Sequence, residues 1–283
     1  MSVELPVAPP SVGFRQWIGA VMRYRAEHPA SARILDTLDR LLDRPYRTNA
    51  LLTGEPGTGK EGLAKALHAA MHDTPDAPFV EVATRGRNHD ELAVELFGSG
   101  SRAGAIERAA NGTLYLDEVA VLPGEIQARL CDVLRGRFTR RDDPILRTSA
   151  VSLVAATDHP DLRALVRTGV LRHDLFHRLA RIELEVPPLR ERPGDVPRAA
   201  VWIGNRVLDK HGDTRRLALV GEAEPGDVVL MADAAQLLEA HPWPGNFREL
   251  DAVLERALML YLRGNVLGAA EIRAALARPA DST

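Results

Sequence analysis

The chain has 283 residues, 45% hydrophobic and 27% charged, with 36 Lys and Arg against 39 Asp and Glu for a formal net charge of −3. That length holds one large or two small packed domains, and the charge balance lacks the basic surplus of a nucleic-acid-binding chain. The single cysteine, Cys131, excludes an internal disulfide framework. No run approaches the ~20 apolar residues of a membrane span, so a cytoplasmic protein is expected.

Residues 1–13 read as a flexible, proline-rich arm without the basic and apolar regions of a signal peptide. From 14 to 189, short apolar runs alternate with longer helical patterns, which predicts an α/β unit with a parallel sheet. Five runs read as its strands: Ala50–Thr53, Phe79–Val82, Thr113–Leu116, Val151–Ala156 and Ile182–Val186. Their aliphatic and β-branched content suits strands covered on both faces. From 190 to 278 the pattern is helical, and 279–283 is a tail. Leu250, Val253, Leu254, Ala257, Leu258 and Tyr261 fall on one face of a long helix, with Gly264 at its expected stop. Within this region Leu217–Met231 reads as an inserted hairpin turning at Glu224-Pro225-Gly226-Asp227.

The run Gly54-Glu55-Pro56-Gly57-Thr58-Gly59-Lys60 follows the first strand and precedes a helical pattern. This is the context a phosphate-binding loop requires. Glycines let backbone N–H groups close around phosphate oxygens, and the following helix N-terminus adds partial positive charge. Lys60 would reach the β- and γ-phosphates of ATP or ADP. Position 61 is Glu, where the general pattern places a Ser or Thr that ligates Mg2+. The third strand ends at Asp117-Glu118. There Asp117 would hold Mg2+ and Glu118 would act as the base that orients the attacking water.

Several stretches then align with one family. GEPGTGKEGLAKALH, PFVEV, ELFG, GTLYLDEV, QARLCDVL, LVAATD, DLFHRL, VPPLRERPGDV and HPWPGNFREL resemble, in order and spacing, the ATPase domain of sigma-54-dependent transcriptional activators. The resemblance runs from about Gln16 to Leu276, and a Glu after the loop lysine is the family's habit. It implies the AAA+ P-loop fold, with a five-stranded parallel sheet flanked by helices and followed by a small helical lid. It also implies a homo-oligomeric ring, a hexamer or similar, that hydrolyses ATP at subunit boundaries. Arg172 and Arg178 match the arginines that reach a neighbouring subunit's γ-phosphate. Arg248 matches the lid's sensor arginine, with Asn246 expected to cap its helix. Thr157 and Asp158 match the first sensor.

The chain also departs from that family. Between Gly98 and Gly112 stand only residues 99–111, where the family carries a long excursion with the motif GAFTGA that grips sigma-54. Ala83 replaces an Asn that restrains the catalytic glutamate, and AATD replaces AATN. Asp158 thus places a negative charge near a triphosphate, where it would repel unless paired. The segment Phe138–Ser149 keeps family length, and its charged tip reads equally as an exposed turn or a contact surface. No helix-turn-helix follows the lid pattern and no sensory domain precedes the core, so specificity is expected from a separately encoded protein partner. Three readings stay open: a remodelling ATPase for a partner other than sigma-54, a nucleotide-gated assembly switch with little hydrolysis, and a transcription regulator working through a DNA-binding partner.

Overall fold

The computed structural model describes residues 28–277 apart from 73 and 75; the predicted arm and tail lie outside the described residues. The chain divides into two compact units. The first holds Ala32–Glu55 and Gly59–Val186; the second holds residues 28–31, Pro56–Thr58 and everything described from Pro187 on.

In chain order the elements up to Val186 are α1 (Pro29–Asp43), β1 (Ala50–Thr53), α2 (Lys60–Met71), β2 (Phe79–Ala83), α3 (His89–Phe97), α4 (Ala105–Arg108) and β3 (Thr113–Asp117). Then come α5 (Gly124–Val133), β4 (Arg137–Arg140), β5 (Asp143–Thr148), β6 (Ser152–Thr157), α6 (Leu162–Arg167), α7 (His173–Leu179) and β7 (Ile182–Glu185). The five expected strands form one parallel sheet in the order β2-β3-β6-β1-β7. Every residue of β6 is buried, as are the first four of β3, because helices cover both faces of a parallel sheet. Thr53 lies in register with Thr157, and Ala83 with Asp117. The carboxyl ends of the strands, where α/β sheets bind ligands, therefore bring together the start of the phosphate loop, Asp117 and Thr157.

The short segment after α3 is closed rather than projecting. Ser99 and Arg102 exchange backbone hydrogen bonds at 3.1 and 2.9 Å. A Cβ at Gly104 would come within 2.4 Å of Leu96 O and of Gly98 N, so only glycine permits the return. Antiparallel β4 and β5 form the predicted charged hairpin at 138–149. Arg141 N donates to Gly98 O at 3.0 Å, and Ser99 donates to Asp142, so the hairpin tip holds the turn down.

The second unit contains α8 (Val196–Lys210), β8 (Leu217–Leu219), β9 (Val228–Leu230), α9 (Ala232–Ala240), α10 (Asn246–Arg256), β10 (Val266–Leu267) and α11 (Ala269–Leu276). The π-helical turn Ala257–Tyr261 extends α10, and Leu250, Val253, Leu254, Ala257 and Leu258 on its predicted apolar face are buried. The expected hairpin at 217–231 is corrected. β8 and β9 run parallel, and β10 joins them in the order β10-β9-β8. The tight turn at Glu224–Asp227 does form, with Asp227 N donating to Glu224 O at 3.1 Å. It sits inside a crossover loop instead of joining antiparallel neighbours, because parallel pairing requires the chain to return to the starting edge. Asn205 on α8 fixes β8 by hydrogen bonds to both Leu217 N and Leu217 O.

Candidate functional site

The phosphate loop leaves β1 at Gly54 and enters α2 at Lys60. Gly57 (φ 77°) and Gly59 (φ 98°) adopt left-handed backbone that side chains disfavour. The Lys60 ammonium donates to Gly54 O at 2.7 Å and to Glu55 O at 3.0 Å. It is thus held over the loop, where an anion with better acceptors would take it. Glu61, in the first turn of α2, is ion-paired to Lys65 at 2.6 Å.

Pro56–Thr58, at the loop tip, is held by residues of the second unit. Asn246 Nδ2 donates to Pro56 O at 3.1 Å while its Oδ1 accepts from Leu189 N at 2.8 Å. Asn246 therefore does not cap α10 as expected. Gly245 precedes the helix and Asn246 occupies left-handed backbone (φ 51°), a conformation Asn tolerates better than most residues. Its amide is spent on the loop instead. Phe247 N donates to Gly57 O at 2.9 Å, and Arg192 donates to Thr58 O at 3.2 Å. A Cβ at Gly57 would stand 2.6 Å from Gly245 O and 3.3 Å from the Cβ of Arg248, which places Arg248 beside the loop tip. Arg192, inside the motif PPLRER, is a loop-holding residue that the motif alone did not single out.

Asp117 and Glu118 follow β3 directly. Glu118 sits in left-handed backbone (φ 69°) and is 4% exposed, a strain of ~1–3 kcal/mol of the kind that functional sites retain. Thr84 secures this turn, its hydroxyl donating to Asp117 O and Glu118 O, each at 2.7 Å. The Glu118 carboxylate accepts from the Thr157 hydroxyl on one oxygen. On the other it accepts from Asp158 N and from the Arg85 guanidinium, both at 3.0 Å. Arg85 also donates to the Asp158 carboxylate at 2.7 Å. Burial raises the Glu118 carboxyl above its usual range against the hydrogen bonds from Thr157 and Asp158 N. Burial acts the same way on Asp158, but its links to Glu118, Arg85 and Lys60 outweigh it and hold that group low. The expected repulsion from Asp158 is thus met by Arg85, which the sequence reading missed. Its only signal was a basic residue just beyond the end of β2.

A divalent cation has hard oxygen donors to meet here. Asp117 is exposed at the strand end, and Glu61 and Asp117 add to burial in holding the nearby Glu81 carboxyl above its usual range. Among the described residues no group of three or more His, Cys, Asp or Glu gathers around a metal position. That donor set fits Mg2+, which takes one or two carboxylates and completes its shell with phosphate oxygens and water.

Arg172 precedes α7 and Arg178 lies in its last turn. Arg172 forms a two-pronged pair with Asp174, both contacts at 3.0 Å, which holds that carboxyl down at about 2. Its backbone N–H is received by Gln127 at 2.8 Å. Arg178 accepts at its carbonyl from Asn49 at 3.1 Å. Among the described residues, neither guanidinium is hydrogen-bonded to Asp117 or Glu118.

A glycine loop between strand and helix, its lysine, and an Asp-Glu pair at the end of a parallel strand together define a P-loop nucleotide-binding protein of the AAA+ class. Comparison with known proteins places it further. Residues 25–185 match the sigma-54 interaction domain and residues 217–283 the AAA+ ATPase lid domain. The chain belongs to the sigma-54 interaction domain family. It is 37% identical over 250 residues to the response regulator protein FleR of Pseudomonas aeruginosa, covering 84% of this chain and 49% of that protein. It is 40% identical over 223 residues to the anaerobic nitric oxide reductase transcription regulator NorR of Escherichia coli, covering 75% and 41%. The chain thus spans about half the length of the curated relatives it matches. Among solved structures it resembles NtrX from Brucella abortus in complex with ADP, with a TM-score of 0.72 and 30% identity over 87% of this chain and 53% of that one. Among the described residues no helix is long and apolar enough to cross a membrane.

Proposed function

We propose that this chain is a cytoplasmic ATPase that works as a homo-oligomeric ring, a hexamer or similar, and couples hydrolysis to remodelling a protein partner other than sigma-54. The observation that carries the ATPase reading is the buried Glu118 carboxylate at the strand end, beside Asp117 and tied to Thr157 and Asp158. In this reading the loop Gly54–Lys60 holds the phosphates and Asp117 holds Mg2+. When bound there, Mg2+ would neutralise phosphate charge. Glu118 accepts a proton from the attacking water, and Arg248 contacts phosphate in its own subunit. Arg172 and Arg178 neutralise charge on a neighbour's γ-phosphate, a role that contributes about 10³–10⁵ in rate. Arg172 would exchange Asp174 for that phosphate.

The closed turn Ser99–Arg102 supports a partner contact that does not depend on a loop projecting from this position. A second reading, a nucleotide-gated assembly switch with little hydrolysis, is favoured by the three hydrogen bonds already on Glu118. The relatives are named transcription regulators, so action on transcription through a DNA-binding partner remains a third reading. ATP turnover measured against protein concentration, with Lys60→Ala and Arg172→Ala as controls, separates the first two. Cooperative turnover lost in both variants is expected of the ring ATPase. ATP binding and assembly without turnover would favour the switch.

A further inference from the structure

The geometry points to Arg85 as a positioning residue that, with Asp158, locks Glu118 out of its proton-accepting role. The inference rests on the ATPase reading above and adds to it a means of restraint.

Ala83, the last residue of β2, lies in register with Asp117 and has no polar group to offer. Thr84 is spent on the carbonyls of Asp117 and Glu118. Arg85 is the first side chain after the strand that reaches the Glu118 carboxylate, and it does so as a charged donor. Each carboxylate oxygen has two lone pairs. The oxygen that receives Arg85 also receives Asp158 N, so both of its sites are taken. The other oxygen faces the hydroxyl of Thr157, a residue with no solvent exposure. The lone pair left without a donor in this set is therefore on the oxygen that faces the buried Thr157.

Exposure gives the lock its direction. The Glu118 side chain is 5% exposed and that of Arg85 is 60% exposed. The held group is fixed, while its holder stands in solvent and can leave without disturbing the core. Asp158 anchors Arg85 from the other side at 2.7 Å. A guanidinium pairs with phosphate oxygens at least as well as with a carboxylate, so a terminal phosphate arriving near Lys60 supplies the competing acceptor. Arg85 would then release Glu118 as it turned toward the nucleotide, and Asp158 would keep the arginine close for relocking.

The test is steady-state ATP turnover with Mg2+, at ring-forming concentration, for the wild type, Arg85→Ala, Arg85→Lys, Asp158→Asn and the double variant Arg85→Ala/Asp158→Asn. Arg85→Ala is expected to raise kcat about tenfold, the rate equivalent of one charge-assisted hydrogen bond removed from the ground state, and to raise KM for ATP as well, because Asp158 loses the cation that pairs with it. Arg85→Lys should restore part of the restraint. Asp158→Asn should raise kcat less than Arg85→Ala and add nothing to it in the double variant. If Arg85→Ala does not fold, Arg85→Gln carries the same expectation. A wild type that turns over with no gain in Arg85→Ala overturns the lock and leaves the ATPase reading standing. Bound ATP with no turnover in any of these proteins overturns both.

Discussion

Gly54–Lys60 is built from backbone, whereas the surroundings of Glu118 are built from side chains. At the loop, the groups that would meet phosphate are N–H donors positioned by glycine conformations, and Asn246, Phe247 and Arg192 hold Pro56, Gly57 and Thr58 by their main-chain oxygens. Around Glu118 the carboxylate is gripped by Arg85 and Thr157 side chains, and only Asp158 contributes a backbone donor. The difference teaches where a family can change. A backbone cradle tolerates little substitution at its glycines: a Cβ at Gly57 would collide with Gly245 O, and Gly57 and Gly59 hold left-handed backbone. A side-chain cluster can be rewired by single replacements.

The comparison can be broken most severely at Lys60, the side chain of the loop that would meet the phosphates. Lys60→Ala should weaken ATP binding by about 100-fold or more, the loss of a charged phosphate contact, read by equilibrium titration with unchanged thermal stability. Unchanged affinity would mean that the backbone alone holds the phosphates. The next effect is expected at Asn246, which is fully buried and bonds Pro56 O and Leu189 N. Asn246→Ala leaves an acceptor and a donor without partners, and should cost about 2 kcal/mol in denaturant unfolding.

The smallest effect lies away from both regions. On α2, His68 contacts the Thr113 hydroxyl at 2.9 Å, and His72 contacts the same oxygen at 3.1 Å. Burial, followed by the neighbouring His72, depresses His68 to about 4. The unfolded chain therefore takes up a proton from about pH 6.5 downward while the folded chain does not, so stability falls as the pH drops from there toward 4. Between pH 7 and pH 6 the loss should be under ~1 kcal/mol, and His68→Gln should flatten it. A midpoint that rises on acidification through this window would contradict the assignment.

Much of the first unit was legible because its strands are covered on both faces. Ala50–Thr53 and the run at 151–156 read as largely apolar stretches, as strands packed on both sides require. The phosphate loop was legible because backbone geometry forces glycine into fixed positions. The Glu118 cluster was not, since Arg85, Thr157 and Asp158 lie 33 to 40 residues away along the chain and meet Glu118 only when β2, β3 and β6 align. Asn246 was misread for a related reason. Its position suits a cap, but its amide bonds Leu189 and Pro56, the latter 190 residues away. At 217–231 the turn signal was sound and the strand direction was not, because a tight turn can sit inside a crossover loop as well as at the tip of a hairpin.

The most direct test of the account is phosphate release from ATP and Mg2+ by the wild type and by Glu118→Gln, measured beside ATP affinity. The wild type should turn over repeatedly. The variant should bind ATP at least as well and lose about 10²–10⁴ in kcat, the contribution of a general base. Equal rates in the two proteins would contradict the role of Glu118. So would a wild type that binds ATP and releases no phosphate under ring-forming conditions.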